Sequence, residues 1–109
     1  MALQNDRYTY RVTWSEDDTE YVGLSAEFPS LSWLAATPEA ALKGIRKIVA
    51  DIVKDMDANG EIIPKPIACR QYSGKFIVRV PPDVHRNLVI RAAESGISLN
   101  RIVSSKLSQ

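Results

Sequence analysis

The residues whose types and spacing could do chemistry by direct contact lie near the C-terminal third: Lys75, Ile77 and Arg79, alternating with Phe76, Val78 and Val80. Strict alternation is the pattern of a strand with one apolar face. The Lys75-Ile77-Arg79 face matches what the major groove of B-DNA offers. Arg79 suits the O6/N7 edge of guanine, Lys75 a guanine or a phosphate, and Ile77 a thymine methyl. The same side chains would also simply solubilise an exposed strand.

Other chemistries fit less well. A two-metal nuclease needs carboxylates from adjacent strands and a helix converging on one pocket. The first strand expected here contains no acid, and the remaining acids scatter along the chain. Glu16, Asp17, Asp18 and Glu20 cluster in one polar stretch, but without the glycine and terminal glutamate of a calcium loop. That cluster is either a solvated hairpin turn or an acidic docking surface for a basic partner. With one histidine, His85, and one cysteine, Cys69, zinc ligation and Cys–His catalysis are not expected. No elbow-type serine motif is present. The expectation is a non-enzyme with no metal and no cofactor.

The elements that must position these residues follow from periodicity. Tyr8 to Trp14 alternates, with Tyr8, Tyr10, Val12 and Trp14 on one face. After the acidic turn, Tyr21 to Phe28 reads as a return strand with Val22, Leu24, Ala26 and Phe28 together, and Leu31 to Ala36 as a third strand. Thr37 is a good N-cap, Pro38 suits the first helical position, and Glu39 lies at the positive end of the helix dipole. Leu42, Ile45, Ile48, Val49, Ile52, Val53 and Met56 then form a helical stripe that Asn59-Gly60 ends. Pro64 and Pro66 flank an extended stretch, so Ile67 to Tyr72 is expected as a fourth, edge strand. Trp14, Tyr21, Phe28 and Trp33 are core candidates in so small a module, Trp33 being the one expected to stay partly exposed.

Beyond Val80 the order is strand, Pro81-Pro82, helix, Ser95-Gly96, helix. Val84, Leu88, Arg91 and Ala92 line one side of the first helix; Ser98 caps a second bearing Leu99, Ile102, Val103 and Leu107. A strand and two short helices bury too little to fold alone, and a lone strand leaves its backbone ladder unpaired. Two chains pairing their strands antiparallel would solve both problems and create a two-stranded ribbon of the kind that enters a major groove. The second helix then offers free N–H groups at Ser98, Leu99 and Asn100, with the charge of Arg101, to a phosphate. Ser98 as a mere helix cap is the plainer alternative.

Charge separates the two parts. Residues 1–69 carry seven Lys/Arg and eleven Asp/Glu, net −4; residues 70–109 carry seven and two, net +5. A basic segment joined to an acidic one suggests two modules with different partners. The expected domains are therefore 1–69 and 70–109. No apolar run approaches the length of a membrane span, the start MALQNDRYTY lacks a signal-peptide pattern, and the single cysteine suits a reducing compartment. A cytoplasmic, membrane-free protein is the expectation.

Several segments in order, Glu27-Phe28-Pro29-Ser30-Leu31-Ser32-Trp33, Thr37-Pro38-Glu39-Ala40-Ala41-Leu42, Gly60-Glu61-Ile62-Ile63-Pro64-Lys65-Pro66, Ser73-Gly74-Lys75-Phe76, Arg79-Val80-Pro81, His85-Arg86 and Gly96-Ile97-Ser98-Leu99-Asn100, resemble the HicB antitoxins that end in a ribbon-helix-helix. The resemblance runs from about Tyr8 to Leu107. It implies an α+β protein: a β-β-β-α-β module like a partial RNase H fold without its active site, then a ribbon-helix-helix. It implies a HicA-like, mRNA-cleaving toxin as partner of the first module; the candidate contacts, Glu16, Asp17, Asp18, Glu20 and Trp33, come from the acidic stretch and the partly exposed tryptophan expected above. It also implies operator DNA as partner of the second, bound by a homodimer or a pair of dimers in autorepression. The alternative is a solitary regulator whose first module senses a ligand or makes higher oligomers. One departure from the family is the early end at Gln109, which leaves the last helix short.

Overall fold

The computed structural model describes residues 4–109. The chain divides into two compact units, one ending at Tyr72 and one running Ser73–Gln109.

In the first unit a 3-10 turn, Gln4–Arg7, precedes β1 (Tyr10–Ser15), β2 (Glu20–Ser25), β3 (Ser32–Ala35) and α1 (Pro38–Ala58). The strands form an antiparallel sheet in the order β1-β2-β3, with Val12 opposite Gly23 and Gly23 opposite Trp33. Opposed residues share a face. Tyr10, Val12, Trp14, Tyr21, Gly23, Ser25, Trp33 and Ala35 therefore form one side of the sheet, and α1 packs on that side.

Two glycines allow the close approach. A Cβ on Gly23 would collide with the Ala41 carbonyl oxygen and the Ile45 side chain, and one on Gly44 would run into the Trp33 indole. Ala41, Ile45 and Val49 are fully buried, with Tyr8 and Phe28 completing the core edge-to-face at 5.0 Å. Ile48, Ile52, Val53 and Met56 flank it as the helical stripe predicts, whereas Leu42 stays at the rim. Thr37 caps α1 by accepting from Ala40 N–H at 3.2 Å, with Pro38 in the first turn.

The sequence expectation for β2 needs correcting. Val22 and Leu24 share a face as expected, but Ala26 and Phe28 lie beyond the strand, and the helix-facing residues are Tyr21, Gly23 and Ser25. The strand ends at Ser25, where the Phe28 N–H turns back to the Ser25 carbonyl. That turn resets the alternation and delivers Phe28 to the core. β1 likewise starts at Tyr10 rather than Tyr8, and β3 spans Ser32–Ala35 rather than Leu31 to Ala36.

The expected fourth strand at Ile67 to Tyr72 is absent among the described residues; a 3-10 turn, Ile67–Cys69, stands there instead. The cause is where the donors go. Pro64 and Pro66 have no N–H, Ile67 N–H donates to Glu27, Cys69 N–H to the Pro66 carbonyl and Arg70 N–H to the Ile67 carbonyl. Little is left for a ladder. The observed order is β-β-β-α.

The second unit has two helices, α2 (Pro82–Ser95) and α3 (Leu99–Leu107), packed on each other. Gly96 ends α2 in the left-handed region at φ 67°, and its N–H returns to the Ala92 and Ala93 carbonyls. Ser98 caps α3 by accepting from the Arg101 N–H at 3.1 Å. Lys75 to Val80 belongs to no strand within this single chain. A strand is defined by its ladder, and the segment has no ladder partner here.

Candidate functional site

The second unit is short of a core. Ala92, 4% exposed, is its only buried residue, and Leu88, Ile97, Leu99, Ile102 and Val103 are half-buried. Phe76 is 74% exposed, and Val78, Val80, Val84 and Leu107 are exposed as well. These are the side chains that the sequence pattern assigns to an apolar face. Lys75, Ile77 and Arg79 are also exposed, Ile77 at 92%. Both faces of the 75–80 segment are thus open to solvent. The Ser73 hydroxyl accepts from Lys75 N–H at 3.1 Å, and Gly74 takes φ 81°, so the chain enters the segment through a defined bend.

At the start of α3, Ser98, Asn100 and Arg101 are exposed and Leu99 is half-buried. The Ser98 hydroxyl satisfies the Arg101 N–H. The N–H groups of Leu99 and Asn100 are the ones a phosphate would meet there.

The first unit presents the acidic residues on the turn that joins β1 and β2. Ser15 donates its hydroxyl to Asp18 at 2.7 Å, Trp14 donates its indole N–H to Glu16 at 2.5 Å, and Thr19 takes a positive φ of 53° that shapes the turn. Trp14 meets Tyr21 edge-to-face at 5.0 Å. Trp33, 41% exposed, lies across Gly44 of α1 and not beside the turn. In the sheet register Ala35, not Trp33, pairs with Tyr21 at the turn end. The acidic residues and Trp33 therefore do not form one cluster.

Glu27 has a positioning role that its sequence surroundings do not mark. Its carboxylate accepts from Thr9 N–H at 2.9 Å, from the Thr9 and Ser25 hydroxyls, and from Ile67 N–H at 2.9 Å. Burial pushes this carboxyl up, but the N–H groups of Ile67 and Thr9 outweigh it and hold it below the usual range. It clamps the entry to β1, the exit of β2 and the segment after α1 together. Tyr8 reinforces the same junction by donating its hydroxyl to the Pro64 carbonyl at 2.6 Å.

Among the described residues, no group of three or more His, Cys, Asp or Glu side chains could hold a metal ion, and no helix is long and apolar enough to cross a membrane. His85 lies on α2 in the second unit and Cys69 in the 3-10 turn of the first, where it is half-buried.

With this geometry in place, comparison with known proteins adds one positive finding. The model of the HicB family matches residues 58–107, so a partial HicB-family domain is present there. The match starts at the end of α1, runs through the Pro64-Pro66 segment and includes Lys75 to Val80, α2 and α3. Searches of curated proteins and of solved structures return no match.

Proposed function

We propose that the chain is an antitoxin that neutralises a HicA-like, mRNA-cleaving toxin and represses its own operon as a DNA-binding dimer. The observation that carries this reading is the open apolar face of residues 75–80, in a unit with one buried residue, inside the region that matches the HicB family. Large apolar side chains in so exposed a segment mark an interface. Pairing two such segments antiparallel satisfies both backbone ladders and buries Phe76, Val78 and Val80 against the helices of both chains. The opposite face then carries Lys75, Ile77 and Arg79 as a major-groove reader. Leu99, Asn100 and Arg101, capped by Ser98, hold a flanking phosphate and fix register.

In this reading residues 1–69 bind the toxin and residues 70–109 dimerise and bind DNA. The acidic turn Glu16 to Glu20 and Trp33 are the candidate toxin contacts. The net −4 of residues 1–69 favours a basic partner.

The test is co-expression with a small basic protein encoded by a neighbouring reading frame. Suppressed toxicity, a complex that purifies and specific retention of upstream DNA are expected. DNA binding without any such neighbour would leave a solitary regulator instead.

A further inference from the structure

The outer edge of β1 is an unfilled strand position. β1 is an edge of the sheet, and no segment among the described residues pairs with its outer side. The register shows which backbone groups face out. Ala26 N–H donates to the Thr9 carbonyl, so Thr9, and with it Arg11, Thr13 and Ser15 in the same phase, bond towards β2. The N–H and C=O groups of Tyr10, Val12 and Trp14 therefore point outward. β3, the other edge, has four residues and by the same phasing presents only Ser32 and Leu34. No proline interrupts β1, and its single charged residue, Arg11, is in the phase whose backbone groups bond towards β2, so the outward backbone groups of Tyr10, Val12 and Trp14 stay available.

The surroundings of this edge specify what fits. At its end stand Glu16, Asp17, Asp18 and Glu20, and among the described residues no cation pairs with them; the ion pair present is Arg46–Asp6. Beside them Trp14 is 45% exposed, its ring held by Tyr21 and its N–H by Glu16. The edge thus combines backbone hydrogen-bonding groups, an aromatic ledge and uncompensated negative charge at one end.

We infer that the β1 edge receives an extended segment of a basic partner protein, which adds as a fourth strand with Lys or Arg against the Glu16–Glu20 turn and an apolar side chain against Val12 and Trp14. The inference rests on the reading of the first unit as a partner-binding module and names the face that module uses. Main-chain bonds supply attachment, and the charged end fixes which end of the strand meets the turn.

The test uses the full chain carrying Trp33→Phe, which leaves Trp14 as the single tryptophan, and a peptide of alternating Val and Thr with two Lys at one end. Saturable binding with a blue shift of Trp14 emission is expected, together with slowed amide exchange at Tyr10, Val12 and Trp14. Val12→Pro removes the central outward N–H while leaving the β1–β2 bonds, and should weaken binding about tenfold or more. Should that variant misfold, Glu16→Lys with Asp17→Lys in the turn provides the same reading through charge. Binding that ignores both variants, or that persists when the peptide lysines are replaced by Glu, overturns the proposal, as does an unshifted Trp14 at millimolar peptide. A Trp14 shift that grows with protein concentration in the absence of peptide overturns it in favour of a second copy at this edge. Toxin neutralisation that survives loss of the edge would sink this inference alone; a functional edge without neutralisation would sink the antitoxin reading alone.

Discussion

At the scale of single residues, Glu27 and Arg79 illustrate two different uses of charge. Glu27 spends its carboxylate inside the first unit on the N–H groups of Thr9 and Ile67. Its pKa is held below the usual carboxylate range, so it contributes stability that is fully present above the unfolded pKa and is lost as pH falls through the lower folded value. Glu27→Gln should therefore destabilise the first unit at neutral pH, by about 1–2 kcal/mol for charge-assisted bonds at a partly exposed site. Denaturant titrations of the two proteins should converge as pH drops into the acid range. A gap that stays constant with pH would remove the carboxylate from this role. Arg79 makes no internal bond of this kind and is held out by an exposed segment. Arg79→Ala should weaken operator binding by about 1–3 kcal/mol and relax preference at one base position. Toxin neutralisation should be unchanged, and equal loss of both activities would count against separate modules.

At the scale of elements, the instructive segment is Lys75 to Val80. Alternation marks it as a strand, yet a strand exists only through hydrogen bonds to another, and a single chain supplies none. Val78→Asp places a charge on the face proposed to be shared by two chains. Sedimentation should then show monomer and DNA binding should fail, while the sheet of the first unit stays folded. A DNA-binding dimer in that variant would place the interface elsewhere. The same dependence on partners separates what the sequence reveals from what it hides. Helix ends are legible because their signals are local: Thr37 and Ser98 cap their helices, and Gly96 takes the left-handed turn. The face of β2 was not legible. Alternation groups Val22 with Leu24 but does not say which side of the strand meets α1; α1 needs to approach closely, and only Gly23 leaves room for the Ala41 carbonyl and Ile45. The fourth strand failed for a related reason: a distant carboxylate, Glu27, takes the Ile67 N–H. Neither competition can be seen within a short window. For the candidate site, the alternating residues 75–80 and the Ser98 cap were visible, whereas the outward phase of β1 needed the register.

At the scale of the whole molecule, the division of charge, −4 in residues 1–69 against +5 in residues 70–109, sets how each activity should respond to salt. Lys and Arg side chains that neutralise phosphates release condensed counterions, so operator affinity should fall linearly in a plot of log K against log salt. Arg101, exposed at the start of α3, is the residue proposed for the phosphate side of the interface and would occur once in each chain of the proposed dimer. Arg101→Ala should therefore make that slope shallower by about 2, one unit per chain, and weaken binding to specific and random DNA alike. Arg79→Ala should instead act mainly on specific DNA. Fluorescence anisotropy on an operator fragment and a scrambled duplex, across a range of salt, separates these outcomes. A wild-type slope near zero would remove the phosphate contacts from the account. An unchanged slope in Arg101→Ala would move them off α3, leaving the Lys75-Ile77-Arg79 face to carry both register and sequence.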